Sequence, residues 1–359
     1  MEMDIDNKPD PKQQTLHKFF TQMPGTQHAD KPPPKQAPEQ KEIQESQEPS
    51  SAMAPHNKPH HSQGGTSHQQ TSYADRRAAN AAIATETRTV LPDILKHLPH
   101  IQASRSEMLH LDTLPPLRWA DCPRHNAPTH KTKIQVVDAD SFNAAIALGK
   151  EHGTAGGKVA VLNMASHSSP GGGWLKGATA QEEALCYRSS LSLSLHKRYY
   201  PFKHLTGVYT PDVVVIRGDM SSGHALLVPE TKVEDLPVVS VLSVAAIRKP
   251  DLKEIDDERG NGVKRMTFLK DGDRLLTKGK MRLCLRMAAA KGHRLLVLGA
   301  LGCGAFKNPP EDNVQCWREV LEEAEFGGGW WMEVWFAVLD RKNEGNLQVF
   351  REGLHNLEI

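Results

Sequence analysis

Short apolar runs alternate with stretches of helical periodicity through most of this chain, and that alternation restricts the fold more than any other feature. Strands are predicted at Lys133–Val137, Val159–Met164, Val213–Arg217, Val238–Ala245, Leu295–Ala300 and Met332–Leu339. Helices are expected at Ser141–Glu151, Ala180–Leu195, near Gly279–Lys291 and at Asn313–Ala324. An Ala-rich helix without internal Gly spans Arg76–His97, interrupted by Pro92. Strands that alternate with helices imply an α/β fold, with a mixed, largely parallel sheet sandwiched by helices. Ligands in such folds bind in loops at the carboxyl ends of strands, so chemistry is sought just after each strand.

The pattern begins only near Asp75. Residues 1–75 hold 7 Lys, no Arg and 10 acidic residues, a net charge of −3, with one Tyr (Tyr73) and no Trp. Runs of Pro, Gln, His and Ser fill the rest. Such a segment cannot bury enough apolar surface to offset chain entropy, so a disordered arm is expected. It also explains why hydrophobic residues make up only 38% of 359 residues. The remainder carries +4 and suits one large domain or two small ones. Its longest apolar runs, such as Val213–Ile216 and Leu295–Leu298, are far short of a bilayer span, and the acidic start Met1–Asp6 is unlike a signal peptide. The five cysteines (Cys122, Cys186, Cys284, Cys303, Cys316) form no Cys-x-x-Cys pair, which fits a reducing compartment and argues against a Cys-rich zinc site. A net charge of +1 argues against general adhesion to nucleic acid.

Two strand ends run into glycine. After Val159–Met164 comes Ala165-Ser166-His167-Ser168-Ser169-Pro170-Gly171-Gly172-Gly173-Trp174. Consecutive glycines allow positive φ and a close backbone approach to a ligand. Seven residues later stand Gln181-Glu182-Glu183, with Thr179 and Glu182 in the Thr-x-x-Glu capping-box spacing. A glycine loop beside a helix N-terminus is a candidate anion cradle, although a loose turn before a well-capped helix explains the same residues. The second strand end is Leu298-Gly299-Ala300-Leu301-Gly302-Cys303-Gly304-Ala305-Phe306. Its backbone N–H groups suit phosphate oxygens, and Phe306 suits a ring or ribose. Neither a dinucleotide fingerprint nor a P-loop is present.

The run Gly171-Gly172-Gly173 followed by Gln181-Glu182-Glu183 resembles the signature of bacterial and fungal-type poly(ADP-ribose) glycohydrolases. The flanking Val161–Ala165 and Tyr209–Arg217 agree, and the Gly299–Phe306 loop is similar to the family's phosphate loop. The resemblance covers roughly residues 76–355. It implies a macrodomain-like catalytic domain at 133–359, an N-terminal helical accessory region at 76–132, and hydrolysis of ribose–ribose O-glycosidic bonds. In that reading Glu183 is the catalytic acid and Glu182 holds ribose hydroxyls. Gly171, Gly172, Gly173 and Gln181 sit against the substrate, as do Gly302, Cys303, Gly304, Ala305 and Phe306. Asn163 binds the distal ribose, and Asp138 or Asp140 reads adenine. A Glu183 acid needs raised proton affinity, which burial under substrate would supply. Carboxylate and water complete the chemistry, so neither metal nor cofactor is expected, and the enzyme is expected to be a monomer. Arg248–Gly279 looks like an insertion, and His167 is read as solvated or structural. Two other readings stay open: a non-catalytic ADP-ribose reader, and a hydrolase that removes mono-ADP-ribose from proteins.

The arm holds one apolar cluster. Leu16, Phe19 and Phe20 fall at i, i+3 and i+4, one face of a helical turn that could form on binding. With Gln13 they match the PIP box, the motif that binds the replication sliding clamp (proliferating cell nuclear antigen). That resemblance implies a nuclear protein, with the cytoplasm as a second compartment, recruited to replicating DNA through the clamp rather than by strong DNA binding of its own.

Overall fold

The computed structural model describes residues 72–123, 131–256 and 264–359. The arm and its Gln13–Phe20 motif lie outside the described residues. The fold begins with helix α1 (Tyr73–Lys96), whose buried Ala84, Thr87, Leu91 and Ile94 follow the 3.6-residue period. Along the chain follow β1 (Glu107–His110), β2 (Lys133–Val137), α2 (Ser141–Gly156), β3 (Ala160–Met164), α3 (Gln181–Arg188), β4 (Thr206–Val214) and β5 (Val238–Val244). Then come β6 (Leu252–Asp256), β7 (Lys264–Phe268), α4 (Asp271–Ala290), β8 (Leu295–Leu298), α5 (Pro310–Leu321), β9 (Glu333–Ala337) and α6 (Asn346–Leu354).

Seven strands form one sheet in the order β1-β4-β5-β3-β8-β9-β2. The five from β5 to β2 run parallel, and β1 and β4 add antiparallel pairs at one edge. Both faces are apolar, because successive side chains of a strand point to opposite faces. On β3, Ala160 and Leu162 pack with Trp317, Leu283 and Phe336, while Val161 packs on the other face with Phe142, Leu148 and Leu185. On β8, Leu296 and Leu298 join the first cluster, and Leu295 and Val297 the second. Helices α4, α5 and α6 thus cover one face and α1, α2 and α3 the other. Each fully buried aliphatic side chain contributes about 1.5–3 kcal/mol, enough to fix strand register.

The outer layer is held by charge. On α4, Arg274 and Lys278 reach Glu319, Arg282 reaches Glu323, and Arg286 reaches Glu325, all at 2.6–2.9 Å. Arg274 also bonds Asp312, which is 3% exposed. On the opposite face α1 braces the loop after β3. Arg77 donates twice to the Lys176 carbonyl (3.1 and 2.9 Å), and Thr87 Oγ1 donates to the Tyr187 carbonyl (2.9 Å).

Several predicted elements change. Of the apolar run Val213–Ile216 only Val213 and Val214 lie in a strand, the end of a longer one, Thr206–Val214, with a register shift between Thr210 and Val213, where Pro211 offers no N–H. That strand is antiparallel, so its end does not face the ligand side. Edge strand β1 comes from residues assigned to the accessory region. The helix predicted to Leu195 stops at Arg188, after which Ser189 caps a 3-10 turn, Ser190–Leu193. The stretch read as an insertion divides into the β6–β7 hairpin, a separate two-stranded sheet, and the first turns of α4, which starts at Asp271. No helix among the described residues is long and apolar enough to cross a membrane.

Candidate active site

A cavity of about 500 Å3 opens where β3, β5, β8 and β9 end. Its position follows from a divergence of strands. The pairing of β3 with β8 stops at Val161–Val297, whereas β3 stays paired with β5 as far as Met164–Val244. The Leu162 carbonyl and the Met164 N–H would be stranded on the β8 side. The Gln181 side chain takes both: its Nε2 donates to Leu162 O (2.8 Å) and its Oε1 accepts from Met164 N (2.9 Å). Nε2 also donates to Ser141 Oγ (3.0 Å). The amide thus stands in for a strand residue and pins α3 to the sheet, so the next two side chains fall between the parted strands.

Those are Glu182 and Glu183, only 2% and 8% exposed. Glu182 Oε2 accepts from Ser166 N (2.8 Å), and Oε1 accepts from Asn163 Nδ2 (3.3 Å). Glu183 Oε1 accepts from Gly173 N (2.8 Å), while its buried Oε2 has no protein partner. The glycine loop lies directly over both carboxyls. Gly172 has φ +57°, and a Cβ there would stand 2.3 Å from Glu183 Oε1 and 3.2 Å from Glu182 Oε2. No side chain other than hydrogen fits.

The expected capping box does not form. Ala180 is the N-cap residue, with no side-chain cap bond, and Glu182 turns inward to β3. Burial also acts on an unexpected residue: it raises the Glu182 carboxyl from the usual range to about 8, against the opposing hydrogen bonds from Ser166 and Asn163. At neutral pH Glu182 is therefore largely uncharged. This carries a stability signature. The fold binds a proton that the unfolded chain releases, so the stabilisation is complete below about 4.5 and is lost as pH rises to about 8. The Tm of the wild type should fall between pH 5 and 8 relative to Glu182→Gln; a pH-independent Tm difference would show that the carboxyl is ionised in the fold.

Most sequence-predicted residues meet at the cavity. Gly172, Gly173, Gln181, Glu182 and Glu183 form one wall, and Gly302, Gly304, Ala305 and Phe306 form the other. Gly171 packs behind, against Trp174 and Cys186. Cys303 is buried outside the lining, its thiol pushed up by burial. Asn163 stands behind Glu182 rather than in the cavity. It is fully buried, donates to Ser243 Oγ (3.0 Å), and has an unpartnered Oδ1. The adenine-reading assignment does not match this geometry. Neither Asp138 nor Asp140 lines the cavity, and Asp140 caps α2 and pairs with Arg188. His167 does line it, as do Arg248, Glu344 and Asn346, which sequence reasoning left out. Arg248, Glu344 and Asn346 follow β5 and β9, both visible as strands, so their place after a parallel strand was the available signal. A cluster of Glu151, His152 and Glu333 lies elsewhere, with both Glu333 oxygens already taken by Gln135, Trp335 and His152.

Two buried carboxyls under a glycine loop, with a second glycine loop opposite, define a hydrolase site of the glycosidase kind. Residues 98–218 match the family described as microbial-type PARG, catalytic domain. That span contains the glycine loop and Gln181–Glu183. Among solved structures the chain resembles poly(ADP-ribose) glycohydrolase from Thermomonospora curvata bound to the inhibitor ADP-HPD. The match has 27% identity, a TM-score of 0.58, and covers 77% of this chain and 99% of that one. It also resembles the Deinococcus radiodurans enzyme in complex with ADP-ribose, at 27% identity and a TM-score of 0.53, covering 69% of this chain and 94% of that one. No curated protein matches.

Proposed function

We propose that this chain is a poly(ADP-ribose) glycohydrolase that hydrolyses ribose–ribose O-glycosidic bonds and releases ADP-ribose. The observation that carries the reading is the unequal state of two adjacent carboxyls: Glu182 fully hydrogen-bonded and proton-retaining, Glu183 with one oxygen fixed and one free. The Gly173 N–H holds Glu183 Oε1, so the buried Oε2 is the oxygen left without a protein partner and available to a bound substrate. From Oε2 a proton passes to the leaving ribose oxygen as oxocarbenium character develops. The resulting carboxylate then activates water, and one group serves as acid and then base. Neutral Glu182 donates to a ribose hydroxyl and places no negative charge beside Glu183. Backbone N–H groups of the Gly302–Phe306 loop face the diphosphate, and Phe306 packs on a ribose or base.

A reader of ADP-ribose needs no such pair of carboxyls, and a hydrolase for mono-ADP-ribosylated proteins would leave polymer intact. Incubation of the purified chain with poly(ADP-ribose) separates these readings. Free ADP-ribose as product supports the glycohydrolase, and unchanged polymer rejects it.

The arm supplies a location. Gln13, Leu16, Phe19 and Phe20 form a docking motif for the sliding clamp, which places the enzyme in the nucleus at replicating DNA. Phe19→Ala with Phe20→Ala should remove clamp binding in a pull-down and leave hydrolysis in vitro unchanged. Equal clamp binding by the double variant would reject the motif.

A further inference from the structure

The cavity has the volume of a site for one small ligand. If poly(ADP-ribose) is the substrate, as proposed above, every other unit of the polymer lies on the protein surface and brings a diphosphate there. The cavity rim beside Phe306 carries three exposed cations, Arg248, Lys249 and Lys307. None forms an ion pair among the described residues, in contrast to Arg274, Lys278, Arg282 and Arg286 of α4, which are matched by acids on or after α5.

Their backbone is unusual. Lys249 and Lys307 have φ of +49° and +56°, a left-handed conformation that side chains other than Asn and Asp adopt at a cost of about 1–2 kcal/mol. Two loops impose it on each other. Lys249 N donates to Phe306 O (2.8 Å), and Lys307 N donates to Gly304 O (3.1 Å). Asn308 Nδ2 donates to Ile247 O (2.7 Å) and Phe306 O (3.3 Å), stapling the loop after β5 to the loop after β8. Glycine or asparagine would relieve the strain at both positions. Lysine there is explained by what its charge does, and strained backbone held by its surroundings marks functional surfaces.

We infer that Lys249 and Lys307, flanking Phe306 on this stapled double loop, form an outer subsite for the diphosphate of the polymer unit next to the one in the cavity. Arg248, which lines the cavity, links the two. The single acid of the lining outside the catalytic pair, Glu344, belongs to the loop after β9 rather than to the stapled pair. The subsite favours polymer over single ADP-ribose, with a salt dependence that the cavity's own N–H groups do not impose.

The test compares the full chain with Lys249→Asn plus Lys307→Asn, a change that removes charge and suits the backbone. Ligands are long poly(ADP-ribose) and single ADP-ribose. The variant should raise KM for long polymer by roughly tenfold at low salt and reduce the log–log salt slope by about 1.4, at ~0.7 per contact. Affinity for ADP-ribose should stay within about twofold, since it has no second diphosphate and the effect is a loss of phosphate contacts outside the cavity. Lys249→Arg with Lys307→Arg should restore polymer affinity. Equal loss on ADP-ribose and polymer, or no loss on polymer, overturns the inference. So does equally tight, lysine-dependent binding of single-stranded DNA in place of polymer. Polymer binding is also measured in a Glu183→Gln background, with and without the lysine changes. If the unmodified chain releases no ADP-ribose, the glycohydrolase reading fails, while this binding difference still reports on the subsite.

Discussion

Glu183→Gln is expected to abolish release of ADP-ribose from poly(ADP-ribose) while leaving ADP-ribose affinity within a few-fold of wild type. The amide is nearly isosteric. Its oxygen keeps the 2.8 Å bond from Gly173 N, so the glycine loop and the cavity keep their shape. Its NH2 occupies the position of Oε2 and can hydrogen-bond substrate but cannot give up a proton to the leaving oxygen. Loss of a positioned acid lowers the rate by about 10²–10⁴-fold. The measurement is a time course of ADP-ribose release beside a calorimetric titration with ADP-ribose. Full turnover by the variant would remove Glu183 from the mechanism. A fall in affinity as large as the fall in rate would mean that its role is to bind.

Gly172→Ala is the second large effect, and it acts on the same carboxyl without touching its chemistry. The new methyl would stand 2.3 Å from Glu183 Oε1. That overlap is relieved only if the carboxyl moves and the bond from Gly173 weakens. A displacement near 1 Å at a catalytic group costs about 10²-fold in rate. Positive φ adds a backbone penalty of about 1–2 kcal/mol in stability. Gly223→Ala separates the two contributions, because Gly223 has a similar φ of +64° with nothing within 4 Å of the added Cβ. Both variants should lose comparable stability in thermal denaturation, and Gly172→Ala alone should lose activity. Near wild-type kcat/KM in Gly172→Ala would show that the loop is free to lift off the glutamates.

The parallel centre of the sheet was legible because both faces of its strands are apolar, and apolar runs announce themselves. Strand β1 was not, since an edge strand has one partner and needs no alternation; its residues are exposed or half-buried. The long β4 was read from its apolar half alone, because the Pro211 bulge breaks the pattern. Within the site, residue types and spacing identified both walls, since glycine at a strand end is a local signal. The allocation of Glu182 was not local. Thr179 and Glu182 satisfy a helix-start rule, but Ser166 and Asn163, brought in by β3, compete for the carboxyl and win. Burial depth, a property of the assembled layers, raises the proton affinity of Glu182, and no spacing rule encodes it. Arg248, Glu344 and Asn346 carry no motif and become visible only once four strand ends are set side by side.

Gln181 gives the signature a division of labour. Parting two strands of a parallel sheet ordinarily leaves unpaired peptide groups, and that penalty would press the gap shut. A side-chain amide that presents one donor and one acceptor removes the penalty, so the gap is a resting feature of the sheet rather than a breach forced by ligand. The helix that seals the gap also begins with that residue, which means the Glu182–Glu183 pair is indexed to the sheet by its immediate neighbour in the chain. Reaction geometry is then inherited from β-sheet spacing, the most rigid ruler in the molecule, and the loops above are free to differ in length and charge without moving the acid.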